Sequence, residues 1–122
     1  MTIPVAFIIE DDHIISKIFE TAVKEAQYET RVIYDGKDAL DKLGSNTPDL
    51  VVLDLHLPSV SGVQVLKAIR NDRRLARTRV IIVSADAVLT DYLREDADLV
   101  LIKPVGFFQL REMAVRLKPD KQ

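Results

Sequence analysis

The sequence predicts an α/β domain, a doubly wound five-stranded parallel sheet flanked by helices. Five stretches of strand character recur along the chain, four of them apolar runs, and each is followed by a stretch of helical spacing. The runs at residues 5–9, 50–53 and 80–83 are apolar at consecutive positions instead of alternate ones, as expected of strands covered on both faces.

Val5-Ala6-Phe7-Ile8-Ile9 lies between Pro4 and the acids Glu10-Asp11-Asp12 and reads as the first strand. Residues 13–26 then turn helical: Ile14, Ile18 and Ala22 join Ile15, Phe19, Val23 and Ala26 in one apolar stripe, with Asp11 or Asp12 as N-cap. Residues 29–35 hold the β-branched and aromatic side chains of a second, less buried strand closed by Asp35-Gly36. A short helix follows over 37–43 through Ala39, Leu40 and Leu43, and Gly44-Ser45-Asn46-Thr47-Pro48 ends it.

The third strand, residues 50–53, delivers Asp54 before the chain breaks at Pro58. A loop with Ser59, Ser61 and Gly62 leads into a helix that turns Val63, Val65, Leu66, Ile69 and Leu75 inward. Residues 79–83 form the fourth strand, tipped by Ser84, and residues 85–95 hold enough apolar positions (Val88, Leu89, Tyr92, Leu93) for a short helix only. Residues 99–102 are the fifth strand, tipped by Lys103-Pro104. A closing helix over 107–117 faces inward through Phe107, Leu110, Met113, Ala114 and Leu117.

At 122 residues the chain is one domain, large enough to bury a core unaided. Hydrophobic residues make up 48% and charged residues 30%, a globular balance. With no cysteine, a disulfide framework, a thiolate metal site and a thiol nucleophile are all excluded. A formal net charge of −2 argues against nucleic acid or an acidic membrane as the main partner. No apolar run approaches the roughly 18 residues of a membrane span, and Met1-Thr2-Ile3-Pro4 lacks the regions of a signal peptide, so a cytoplasmic location is expected.

In open parallel sheets, sites form at the carboxyl ends of the strands. Here strand one ends in Glu10-Asp11-Asp12, strand three in Asp54, strand four in Ser84 and strand five in Lys103. Each has a plain alternative: the acids as helix caps, Asp54 and Ser84 as turn formers, Lys103 as a surface cation. Their convergence on one edge favours a site. Clustered carboxylates repel, so they take up protons or bind a hard cation. Two or three oxygens plus water suit Mg²⁺, which is completed by phosphate oxygens. Beside such a cation Asp54 can attack a phosphoryl group and form an acyl phosphate. Lys103 would supply a second counter-charge and Ser84 a hydrogen bond.

These pieces resemble the receiver domain of two-component response regulators over essentially the whole length. The matching residues are Ile8-Ile9-Glu10-Asp11-Asp12, Asp49 through Pro58 with Gly62, Val83-Ser84-Ala85, and Lys103-Pro104. The resemblance implies the flavodoxin-like strand order 2-1-3-4-5. It implies that Glu10 and Asp11 form the acidic pair, and that Asp11 and Asp54 ligate Mg²⁺ (or Mn²⁺) with the backbone carbonyl of His56. It further implies that Asp54 accepts phosphate from a histidine kinase or phosphotransfer protein, that Ser84 and Lys103 bind the phosphoryl oxygens, and that the Lys103-Pro104 bond is cis. Asp12 is read as a third acid or as a helix cap.

Two departures bear on output. Where the family often carries Tyr or Phe three residues before the lysine, this chain has Val100, so an aromatic toggle is impossible there. The segment from Ser84 to Lys103 is about three residues shorter than usual, roughly one helical turn, which predicts a shortened fourth helix and puts dimerisation through that face in question.

His56 is read as an exposed side chain whose main-chain oxygen ligates, and His13 as a surface residue. The run Arg70, Arg73, Arg74, Arg77, Arg79 is interrupted by an aspartate and carries no aromatics, which fits a solvated helix end better than a nucleic-acid patch. Tyr92, Phe107 and Phe108 have core spacing, although adjacent Phe107 and Phe108 cannot both point inward. The expected function is phosphorylation-controlled signalling toward a downstream protein, with no turnover of an external substrate. The alternatives are a constitutive interaction module and a small aspartyl-phosphate phosphatase. A phosphatase usually has a second acid two residues after the nucleophile, where this chain has His56. A stand-alone regulator and a receiver cut from a longer protein are both compatible with the sequence.

Overall fold

The structure is a computed structural model that describes residues 2–120. Five strands alternate with five helices: β1 Val5–Ile9, α1 His13–Glu25, β2 Glu29–Ile33, α2 Gly36–Leu43, β3 Leu50–Asp54, α3 Gly62–Asn71, β4 Arg79–Ser84, α4 Ala87–Tyr92, β5 Leu99–Ile102 and α5 Phe107–Arg116. Short 3₁₀ turns, Arg73–Leu75 and Arg94–Asp96, precede β4 and β5. All strand pairs are parallel, in the order β2-β1-β3-β4-β5. Among the described residues, no helix is long and apolar enough to cross a membrane.

The consecutive apolar runs are explained by two cores. Phe7, Ile9, Val51, Leu53, Val80 and Ile82 pack against α2 and α3 on one face. Ala6, Ile8, Leu50, Val52, Ile81 and Val83 pack against α1 and α5 on the other. Successive strand side chains point to opposite faces, so only a two-sided cover buries them all.

The apolar stripe of α1 is narrower than its sequence spacing predicts. Phe19, Ala22 and Val23 are buried, whereas Ile14 is 76% and Ile18 43% exposed. At 3.6 residues per turn these two sit roughly 130° and 90° from the centre of the buried stripe, on the side where Glu25 pairs with Arg111 of α5. Strand β2 ends at Ile33, two residues early, because Asp35 turns to cap α2 and accepts the Asp38 N–H. Leu75 is buried from the 3₁₀ turn rather than from α3. The fourth helix is short, with six residues, but it buries Thr90 and the following Leu93 and leaves Val88 exposed and Tyr92 80% exposed. Core spacing therefore misleads at Tyr92. At the other aromatic pair, Phe107 packs inward and Phe108 faces out.

The basic run is more engaged than a solvated face. Arg70 donates to the carbonyls of Asp96 and Thr78 and to Asp98, which also holds Arg79. Arg74 donates to the Leu43 carbonyl and to Asp72. These contacts tie the 3₁₀ turn before β5 to α3 and β4.

Candidate functional site

Register brings the tips of the strands together. Ile9 lies opposite Leu53, Asp54 opposite Val83, and Ser84 opposite Ile102, so Glu10, Asp54, Ser84 and Lys103 finish on one edge. Asp54 is the last residue of the central strand and is 5% exposed. The close seating of the next helix is made possible by Gly62, where a Cβ would collide with the Asp54 carbonyl and the Leu55 backbone. Gly62 N–H donates to the Leu55 carbonyl at 2.9 Å.

The carboxylate of Asp54 is held at both oxygens. His56 N–H donates to Oδ1 at 3.1 Å, and Lys103 Nζ lies 3.4 Å from Oδ2. Glu10, 1% exposed, is held in the same way: Lys103 Nζ at 2.9 Å from Oε1 and Asp12 N–H at 3.1 Å from Oε2. Burying these charges is tolerable because each is paired and hydrogen-bonded. Glu10, Asp11 and Asp54 each direct a carboxylate oxygen to within 4.8 Å of the others, with Asp11 exposed.

Asp12 has a different geometry. Its Oδ1 accepts the N–H groups of Ile14 and Ile15, both at 2.9 Å, and caps α1. Ser84 is fully buried; its Oγ accepts the Asp86 N–H at 3.1 Å and its carbonyl accepts the Lys103 N–H at 2.9 Å. The Lys103-Pro104 peptide bond is cis. The His56 side chain is exposed, and Val100 is half-buried against the α2–α3 core. His13 stacks on Tyr34, with centroids 4.2 Å apart. Asp86, which with His56 lies where water would reach the acyl phosphate in the sequence reading, also caps α4 through Leu89 N–H and ties Ser84 to that helix. The signal for the cap was an acid two residues past a strand-ending serine, just before helical spacing.

Burial pushes the Glu10 carboxyl up to about 7 against the opposing pull of Lys103 and the Asp12 N–H, and the charge of Asp54 adds to the rise. Burial works against the Lys103 charge, but Glu10 and Asp54 outweigh it and hold the ammonium above its usual range. Glu10 and Asp54 thus share one ammonium, with the Asp11 carboxylate beside them. The remaining negative charge calls for a proton on Glu10 or a hard cation. The donor set is all oxygen, part buried and part exposed, which suits a small cation that keeps some of its water.

A family sequence model described as the response regulator receiver domain matches residues 6–115. The chain belongs to the response regulator receiver domain family. Response regulator ArlR of Staphylococcus saprophyticus is 32% identical over 114 residues, covering 91% of this chain and 49% of that protein. This receiver domain therefore spans about half the length of the curated relatives it matches. The receiver domain of Francisella response regulator 1452 superposes with a TM-score of 0.82 at 30% identity, over 93% of this chain and 95% of that one. The receiver domain of the sensor histidine kinase PA1611 from Pseudomonas aeruginosa carries a magnesium ion in its active site cleft. It superposes with a TM-score of 0.84 over 95% of this chain and 98% of that one, and at 21% identity the likeness is one of fold. Membership makes this receiver domain a signalling module of the two-component type.

Proposed function

We propose that this receiver domain accepts a phosphoryl group on Asp54 from a phosphohistidine of a histidine kinase or phosphotransfer protein, with Mg²⁺ bound, and so changes a protein-interaction surface in the cytoplasm. One observation carries the reading: Asp54 is buried at the end of the central strand, one oxygen on the Lys103 ammonium and the other on His56 N–H, beside Glu10 and Asp11.

The carboxylates of Asp11 and Asp54 and the backbone carbonyl of His56 would hold the cation, with Glu10 beside them. Bound there, Mg²⁺ supplies positive charge to the phosphoryl oxygens. Asp54 attacks phosphorus through one carboxylate oxygen. The new P–O bond forms as the P–N bond to the donor imidazole breaks, and the imidazole leaves with the electron pair and takes a proton. Lys103 moves its ammonium from Asp54 to a phosphoryl oxygen, and the Ser84 hydroxyl donates to another. These groups act by position and charge, which is most of what phosphoryl transfer requires.

The product carries about −1.5 to −2 charges where Asp54 carried −1, by analogy with other phosphorylated side chains. In turning to donate to the phosphoryl group, the Ser84 hydroxyl would release the Asp86 N–H that it accepts, and that release carries the signal to α4. Incubation of the protein with a small phosphodonor and Mg²⁺, read by intact mass, tests the reading. One phosphoryl group per chain is expected. Sustained hydrolysis of a phosphate ester would instead mark a phosphatase, and no adduct under any condition a constitutive interaction module.

A further inference from the structure

The loop of residues 55–61 carries His56, whose carbonyl is a cation ligand in the reading above. Its course is set from outside by α2. Gly36 N–H, at the first residue of that helix, donates to the Pro58 carbonyl at 3.3 Å, and Val60 N–H donates to the same oxygen at 2.9 Å. Ser59 between them takes a left-handed φ of 64°. Leu57 and Val60 pack against the core formed with α2 and α3. Gly36 is buried, and a Cβ there would collide with the carbonyl carbon and oxygen of Val60 and press on its Cβ. Two of these atoms are backbone, so the loop could yield only by moving.

We propose that Gly36 is a positioning residue for the cation site: its missing side chain lets α2 clasp the loop and hold the His56 carbonyl where Asp11 and Asp54 need a third oxygen. The inference rests on the Mg²⁺-dependent reading of the site. Displacement is decisive because Mg²⁺ takes its oxygen ligands only at about 2.0–2.1 Å, in near-octahedral array. Groups that orient ligands are worth roughly 10–100-fold in metal affinity.

The test is Mg²⁺ titration of the full chain without phosphodonor, for the parent, Gly36→Ala, and the control Leu43→Ala. The control removes buried packing at the far end of the same helix. Gly36→Ala is expected to weaken Mg²⁺ by about tenfold or more, while Leu43→Ala melts earlier but binds Mg²⁺ like the parent. At saturating Mg²⁺ the Gly36→Ala protein should recover the parent's rate of adduct formation, a split that simple destabilisation does not produce. Should Gly36→Ala fail to fold, Val60→Gly loosens the clasp from the loop side without a collision and should weaken Mg²⁺ to the same degree. Parent-like affinity in a folded Gly36→Ala protein, or in Val60→Gly when that variant stands in for it, overturns the proposal alone. A parent that binds no Mg²⁺ overturns the reading of the site together with it.

Discussion

Lys103 Nζ sits 2.9 Å from Glu10 Oε1 but 3.4 Å from Asp54 Oδ2, so the ammonium is anchored on the more deeply buried acid and only leans on the proposed acceptor. It can follow an incoming phosphoryl group without abandoning Glu10. Lys103→Met should leave two buried carboxylates without a cation. Metal-free stability should fall by about 1–3 kcal/mol at pH 8 and by less at pH 5, where Glu10 can take a proton. Urea unfolding at the two pH values measures the difference.

The raised Glu10 carboxyl sets a pH window. Folded Glu10 holds its proton up to about 7, against an ordinary value of 4.5, so between these values the folded state binds more protons than the unfolded chain. The stabilisation is fully present below 4.5 and is lost as pH rises through about 7. Lys103, also raised, contributes stability that persists below 10.5 and is lost only at more alkaline pH. Metal-free protein should therefore melt lower at pH 8 than at pH 5, and added Mg²⁺ should raise the melting temperature more at pH 8, where it no longer competes with a proton. Thermal melts with and without Mg²⁺ check both signs.

Ser84→Ala should slow adduct formation by roughly 100-fold, the usual cost of losing one donor to developing charge. The same change leaves the Asp86 N–H without its acceptor and should loosen the start of α4.

Residue 100 is a valine, half-buried against the core, so no aromatic side chain can toggle there. The turn before β5 is pinned by Arg70 through the Asp96 carbonyl and Asp98. Phosphorylation should therefore raise amide exchange over residues 85–93 and leave residues 94–98 protected. Arg70→Ala should extend the change into 94–98 and cost about 1–2 kcal/mol in stability. Equal exchange over 85–93 in the two states contradicts this route.

The strands and their tips were legible because consecutive apolar positions ending in Glu10, Asp54, Ser84 or Lys103 admit few other folds. Helix faces were less so. Ile14 and Ile18 have core chemistry but lie on the flank of α1, and Tyr92 has core spacing on a helix too short to bury it. Least legible were contacts between segments distant in sequence. The role of Arg70 depends on where residues 96–98 return to α3, and that of Gly36 on how close the loop after Asp54 passes. Both are set by the packed fold and leave no local pattern.

The central claim is that Asp54 is the phosphoacceptor. Intact mass after incubation with a small phosphodonor and Mg²⁺, for the parent and Asp54→Asn side by side, tests it most directly. One hydroxylamine-sensitive phosphoryl group is expected on the parent and none on Asp54→Asn. An equal adduct on both proteins would contradict it.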